Sequence, residues 1–213
     1  MKISYLSFFL NEKTPAYGGS LNEFSLKTKS SIKNGDTANS KEIQMNNHIG
    51  THIDFPNHFS NEGKKSSDYP PSFWVFNKVG LVNCKIEDFL TKIKNLNSDI
   101  EILILKTDFG LVRDTDIYWK SQPVIPSSYA KILKEYFPNL RVFGFDMISL
   151  TSKLDRNEGK KAHKEFLLRN DILVIEDMNL VNLDYCPVKI IVSPFQASEL
   201  DGAPCTVFAF HDE

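Results

Sequence analysis

The chain predicts a mixed α/β domain, and three observations carry that prediction. Short runs rich in Val, Ile and Phe recur along its 213 residues, as strands prefer. Amphipathic helical patterns separate these runs through the second half, the alternation expected of α/β folds. Several runs are apolar without interruption, which fits strands covered on both faces.

Taken in order, Ile3 to Leu10 reads as a first strand. This stretch is short for a signal-peptide core and runs into Asn-Glu-Lys with no small-residue cleavage site. The first sixty residues carry little helix signal and read as β-structure with turns, and residues 40–54 read as one extended segment. Further strands are expected at 79–84, 101–106, 141–146, 172–176, 188–193 and 206–211. Between them, 86–96 has apolar residues at 86, 89, 90, 93 and 96, near a helical period. A second helix spans 127–137, with a Ser cap, Ala130, Leu133 and Phe137 on one face, and Pro138 as its stop. A third helix covers 158–170 and runs into the strand ILVIE. The DGAP segment at 201–204 reads as a turn. With no repeat or linker dividing the chain, residues 1–213 read as a single domain.

Composition excludes several function classes. A net charge of -2 offers no basic field for nucleic acid or an anionic membrane. Nothing approaches the roughly 20 apolar residues that span a bilayer, and a cytoplasmic protein acting on a small molecule is expected. Cys84, Cys186 and Cys205 lack CxxC spacing, which argues against a disulfide framework or a Cys-rich zinc site. All three sit in or beside apolar runs and read as inert core. Nucleophile-elbow, P-loop and dinucleotide-binding motifs do not occur.

One stretch concentrates the chemistry. NNHIGTHIDFPNHF, residues 46–59, holds three of the chain's five histidines and an aspartate. On spacing alone this is either a polar loop or a metal site. Read as a strand, 40–54 puts His48, His52 and Asp54 on one polar face, with Ile43, Met45, Ile49 and Ile53 on the other. Pro56 then turns the chain so that His58 can return towards the same cleft, and Gly50 permits close backbone approach. Imidazole with carboxylate suits Zn, Mn or Fe better than Ca or Mg. Further ligands would come from the unit 162–177, where His163 lies on a helix and Glu176 ends an apolar strand. Such a set of three His and two carboxylates can hold one or two ions.

The same residues carry a family resemblance. His48 to Phe59 resembles the HxGTHxDxPxHF signature of the cyclase family of metal-dependent hydrolases, which includes bacterial kynurenine formamidase (arylformamidase) and isatin hydrolase. LNEKTPAYGGS (10–20), FGFDMISL (143–150), FLLRNDILVIEDMNLVNLD (166–184) and SPFQASELDGAPCTVFAF (193–210) are similar to its other conserved stretches, so the likeness spans nearly the whole chain. It implies a swivelling β/β/α domain, with mixed sheets and flanking helices. It also implies that His48, His52, Asp54, His163 and Glu176 are metal ligands, with Glu176 bridging if two Zn or Mn ions bind, and that His58 is the catalytic acid/base. Tyr17 falls at a substrate-contacting aromatic position. Phe55 and Trp74 would add an apolar wall or simply pack the core. The activity implied is hydrolysis of a small amide, formamide, lactam or lactone, in a homo-oligomer such as a dimer or tetramer. A metal- or small-ligand-binding protein, or a ring-forming cyclase or dehydratase on the same site, are the alternatives. Three positions depart from the pattern. His163 precedes Glu176 by thirteen residues where twelve is usual, so Lys164 takes the strict register and a one-residue bulge is needed. YGG replaces aromatic-Pro-Gly, and Gln196 stands where Lys is common.

Overall fold

The structure, a computed structural model, describes residues 1–20 and 22–212. Its strands are β1 (Lys2–Tyr5), β2 (Phe24–Ser30), β3 (Ser40–Met45), β4 (His52–Asp54), β5 (Val75–Phe76), β6 (Val79–Asn83), β7 (Ile102–Lys106), β8 (Val142–Phe145), β9 (Leu173–Glu176), β10 (Lys189–Pro194) and β11 (Gly202–His211). Among the described residues nine of these form one sheet in the order β5-β10-β11-β4-β9-β8-β7-β6, with β1 also paired to β11. The half from β6 to β9 is parallel. The rest is antiparallel, and β4 sits at the junction between β9 and β11. The α/β class is therefore borne out, as one large mixed sheet with helices.

The apolar runs behave as their composition predicts. Ile102, Leu103, Ile104 and Leu105 of β7 are wholly buried, as are Phe143 and Phe145 of β8, because helices cover the parallel half. The 86–96 segment breaks into a 3₁₀ turn (Ile86–Asp88), α1 (Phe89–Lys92) and another 3₁₀ turn (Ile93–Asn95). It still buries Ile86, Phe89 and Ile93. A short helix, α2 (Ile117–Lys120), has no counterpart in the sequence reading. In α3 (Ser128–Tyr136), Ala130 and Leu133 face the core, and Phe137 packs beside them. Next comes α4 (Arg156–Lys164), whose first turn is capped by Asp155, Oδ1 accepting from the Glu158 amide at 2.9 Å. It does not run on to residue 170 as an α-helix, because Glu165–Arg169 forms a π-helical turn.

Two expectations need correction. Residues 40–54 are not one strand: β3 ends at Met45, and a turn over 46–51 separates it from β4. Asn46 Oδ1 accepts from the His48 amide at 2.9 Å, and Gly50 adopts φ +61° where a Cβ would meet Leu10 at 2.3 Å. These local constraints break the alternation. β3 pairs with β2 in a separate two-stranded sheet, so Ile43 remains 60% exposed. Cysteine burial is also mixed. Cys205 is buried, Cys84 is half-buried and Cys186 is exposed, since the 177–188 connection lies outside the sheet and β10 starts only at Lys189.

Candidate metal centre

The β4–β9 register builds the floor of the site. His52 lies directly opposite Glu176, and Asp54 lies two residues further along β4 on the same face. All three are buried. His163 arrives from α4, with 3% exposure. The extra residue between His163 and Glu176 is taken up by the π-helical turn at Glu165–Arg169, which supplies the bulge the spacing demanded.

Distances within this group are informative. His52 Nε2 stands 3.5 Å from Asp54 Oδ1 and 3.4 Å from Glu176 Oε2. His163 Nε2 stands 3.4 Å from Asp54 Oδ2 and 3.4 Å from Glu176 Oε1. These separations exceed ordinary N–H···O hydrogen bonds. Tetrahedral donors about 2.1 Å from an ion stand about 3.4 Å apart; His52, Asp54 and Glu176 present donors close enough to share a cation, and His163 borders that group through the other oxygens of the same carboxylates. The imidazole tautomers agree. His52 Nδ1 donates to the Gly50 carbonyl at 2.8 Å, and His163 Nδ1 donates to the Gly159 carbonyl at 2.9 Å. Carbonyls only accept, so Nδ1 carries a proton in each ring, and on binding an ion each Nε2 would turn its lone pair into the space between the two carboxylates. Two carboxylates and two neutral imidazoles match the charge of a divalent ion.

Electrostatics without an ion describe the same demand for positive charge. Burial opposes the charged form of His52, yet Glu176 and Asp54 outweigh it and hold the ring up at about 9. For His163, burial is likewise outweighed by Asp54 and Glu176, giving about 10. Burial would raise the Asp54 carboxyl, but His163, His48 and His52 hold it well below its usual range. Glu176 is lowered too: His163 and His52 prevail over burial and over the nearby Asp54 charge.

The surroundings hold these side chains in place. Glu176 Oε1 accepts from the Leu150 amide at 2.5 Å and from Ser149 Oγ at 3.2 Å. Just beyond Glu176, Asp177 is clamped by Arg113 through two bonds of 2.8 and 2.6 Å and by the Tyr118 hydroxyl at 2.6 Å. Thr51 Oγ1 donates to the Asp177 carbonyl at 2.6 Å and accepts from the Phe8 amide at 3.0 Å, tying the HIGTH turn to β9.

A second group lies at the mouth. His48 Nδ1 is 2.9 Å from Asp54 Oδ1, and His48, Asp54 and His58 present donors close enough to share an ion. Asp54 is thus common to both groups, and Glu176 belongs to the inner one; the resemblance implied Glu176 as the bridging ligand if two ions bind. His58 ends the 3₁₀ turn Pro56–His58, its ring 4.0 Å from the His48 ring between centroids.

Asp201 was missed. Sequence reading assigned DGAP to a turn, but the strand β11 starts at Gly202, opposite Asp54. Asp201 Oδ2 meets His58 Nδ1 at 2.9 Å and His48 Nε2 at 3.1 Å, while Oδ1 accepts from Asn47 at 2.6 Å. Burial would raise its pKa, but His58 and His48 lower it to about 2. Gly202 makes room for the pair, since a Cβ there would fall 2.2 Å from His48 Cε1. An Asp-Gly in a loop carries no signal of this long-range partnership.

These groups line a cleft of about 390 Å³ together with Tyr17, Asn46, Phe59, Ser149, Thr151, Arg156 and Lys160. Tyr17 is therefore at the cleft. Phe59, not singled out from the sequence, stacks on the His163 ring at 4.6 Å. Phe55 is wholly buried core, and Trp74 lines a different cleft with Ser66 and Phe195, so neither forms a wall here.

Comparison with known proteins agrees with the fold and the motif. A kynurenine formamidase of Geobacillus thermodenitrificans (strain NG80-2) is 29% identical over 203 residues, covering 92% of this chain and 90% of that protein. One from Bacillus cereus (strain ATCC 10987 / NRS 248) is 29% identical over 173 residues, 79% of this chain and 78% of the relative. Among solved structures, isatin hydrolase A from Labrenzia aggregata superposes with a TM-score of 0.79 at 17% identity, over 100% of this chain and 94% of that one. A structure described as a potential metal-dependent hydrolase with cyclase activity gives 0.76 at 19% identity, over 100% and 98%. The model of the family described as "Putative cyclase" matches residues 5–151, and the chain belongs to that family.

Proposed function

We propose that the protein is a metal-dependent hydrolase that opens the C–N bond of a small amide, formamide or lactam, or the ester bond of a lactone. The observation carrying this reading is the inner group, in which the Nε2 atoms of His52 and His163 each stand 3.4–3.5 Å from oxygens of the same two buried carboxylates. The names of the relatives, kynurenine formamidase and isatin hydrolase, support the same class. His52, His163, Asp54 and Glu176 would hold the first ion, Zn or Mn by donor chemistry. His48 and Asp54 would hold a second. A bound divalent ion supplies Lewis acidity and makes water nucleophilic near neutral pH.

The protein's own groups complete the chemistry. Asp201 fixes the His58 ring through Nδ1, which leaves Nε2 to take a proton from the attacking water. The same nitrogen then returns that proton to the departing amine or alcohol. The ring of His58 is about one-third exposed at 31%, so it can exchange protons with solvent. Tyr17 and Phe59 flank the cleft and shield one side of a planar substrate. The hydrolase reading is supported over a binding protein with a disabled site by His163, whose Nε2 stands 3.4 Å from both Asp54 Oδ2 and Glu176 Oε1.

Elemental analysis of purified protein, paired with a screen of formamides, lactams and lactones, tests the proposal. His52→Ala is expected to lose both stoichiometric metal and turnover while staying folded. An active, metal-replete His52→Ala protein overturns the assignment. His58→Ala is expected to keep its metal and lose kcat by about 10²–10⁴-fold; normal turnover would remove His58 from proton transfer. A cyclised product in the same screen would replace hydrolysis with ring formation.

A further inference from the structure

The residue that follows Glu176 sits in the left-handed region of backbone space. Asp177 has φ +51°, a conformation that residues other than Gly, Asn and Asp rarely adopt. Such a residue persists only where its surroundings over-determine it, and here every polar group of Asp177 is engaged. Its amide donates to the Met147 carbonyl at 2.8 Å, and its carbonyl accepts from Thr51 Oγ1 at 2.6 Å. Oδ1 accepts from Arg113 Nε at 2.8 Å and from the Tyr118 hydroxyl at 2.6 Å, while Oδ2 accepts from Arg113 Nη2 at 2.6 Å. Neither Arg113 nor Tyr118 lines the metal cleft.

These contacts close a circuit behind the centre. Thr51 precedes His52 and Asp177 follows Glu176, so the Thr51–Asp177 bond lies immediately beside the His52–Glu176 pair of the β4–β9 ladder. Thr51 Oγ1 also accepts from the Phe8 amide at 3.0 Å. The Phe8 ring in turn lies against the guanidinium, with Arg113 Cζ 3.9 Å from its centroid. Phe8, Thr51, Asp177 and Arg113 thus meet in a ring, although they come from separate segments. Arg113 ends the 3₁₀ turn Phe109–Val112 that follows β7, and Tyr118 comes from α2. Asp177 and Tyr118 are buried, and the Arg113 side chain is only 10% exposed. Apolar residues in place of a buried ion pair are often as stable or more so. A two-pronged grip on one carboxylate is better suited to fixing a single conformation.

We infer that Arg113 and Asp177 are positioning residues: with Tyr118 they hold residue 177 left-handed, and this sets how Glu176 presents its carboxylate to His52 and His163. The inference rests on the metal-dependent reading above. Glu176 Oε1 takes the Leu150 amide at 2.5 Å, and its two oxygens stand 3.4 Å from the Nε2 atoms of His163 and His52. A rotation of the backbone at 176–177 would displace both oxygens together. Arg141 supplies the contrast, a cation whose pairing is structural. It bonds Glu101 at 3.1 Å and the Val75 carbonyl at 2.9 Å, and it does not line the cleft.

The test measures the affinity for the first equivalent of Co²⁺ by chelator competition, together with the visible spectrum of the bound cobalt. Wild type is compared with Arg113→Met, with Arg113→Met/Asp177→Asn and with Arg141→Met, each checked for folding by circular dichroism in chelator. The double variant leaves no buried charge unpaired, and Asn tolerates the left-handed conformation. Arg113→Met and the double variant are both expected to bind Co²⁺ at least tenfold more weakly, with an altered cobalt spectrum. Arg141→Met is expected to melt earlier yet keep wild-type affinity and spectrum. A folded double variant with wild-type affinity and spectrum overturns the inference. So does an equal loss of affinity in Arg141→Met, and so does a double variant that cannot fold, which would make the pair structural. Wild type that binds no cobalt ends the metal-dependent reading separately. A crystal structure of the metal-free double variant then decides the positioning: Glu176 Oε1 displaced from the Leu150 amide supports it, and an unmoved carboxylate overturns it.

Discussion

Asp201 shows how much a single side chain can organise. Its two oxygens reach His58, His48 and Asn47, so it joins the proposed proton carrier to the outer ligand group. A carboxylate bonded to Nδ1 selects the tautomer whose Nε2 is free to accept a proton, and it stabilises the imidazolium that follows. Asp201→Asn keeps size and shape but removes that charge. The expected outcome is a kcat lowered by about 10–100-fold with the inner metal retained, read by steady-state kinetics and elemental analysis on the same sample. Loss of the inner ion along with activity would make Asp201 a structural residue instead. The histidine-rich motif was legible because rare residue types cluster within fourteen positions. Asp201 was not, because it lies 143 residues from His58 and Asp-Gly is an ordinary turn pair.

At the scale of elements, the π-helical turn after α4 decides which residue enters the cleft. Counting back from Glu176 on the usual spacing selects Lys164, which is exposed, whereas His163 is buried and aimed at Asp54 and Glu176. An inserted residue in a regular helix would rotate what precedes it by about 100°, and the wider turn absorbs that rotation. Moving the histidine to the strict register with His163→Ala/Lys164→His is expected to bind inner-site metal no better than His163→Ala alone. Full recovery of binding in the swapped protein would mean the turn is regular in solution. The neighbouring β4 makes the complementary point. It is three residues long, yet pairing with both β9 and β11 places His52 against Glu176 and Asp54 against Gly202. Strand parity alone united His48 with His52 and Asp54. The actual reason His48 joins them is a glycine-containing turn plus the space left by Gly202.

Across the whole molecule, the proposed metal site draws on distant parts of the sheet. His52 and Asp54 come from the central antiparallel strand, Glu176 from the end of the parallel half and His163 from a covering helix. An ion held by all of them binds only the folded chain, so it should stabilise by mass action. At a free metal concentration about 100 times Kd the gain is about 2.7 kcal/mol. For a domain of this size each kcal/mol moves Tm by about 2–4 °C, giving a rise of roughly 5–11 °C. Scanning calorimetry with and without chelator measures it. An unchanged Tm in a protein that binds stoichiometric metal would place the ion away from this junction. Among the described residues no helix is long and apolar enough to cross a membrane.

By itself the sequence determined the α/β class, nearly every strand of the parallel half and the identity of six cleft residues besides Tyr17. The strands follow from local physics, because apolar runs make buried strands, whereas the cleft residues follow from the clustering of histidines together with the family resemblance. Tertiary structure alone decided that Asp54 joins the two ligand groups, that Asp201 holds His58, and that Arg156 and Lys160 line the cleft with His163. Each of those depends on the register between strands and on the rotation of α4 about its own axis. Both quantities arise from packing between segments far apart in the chain, which no local pattern of residues encodes.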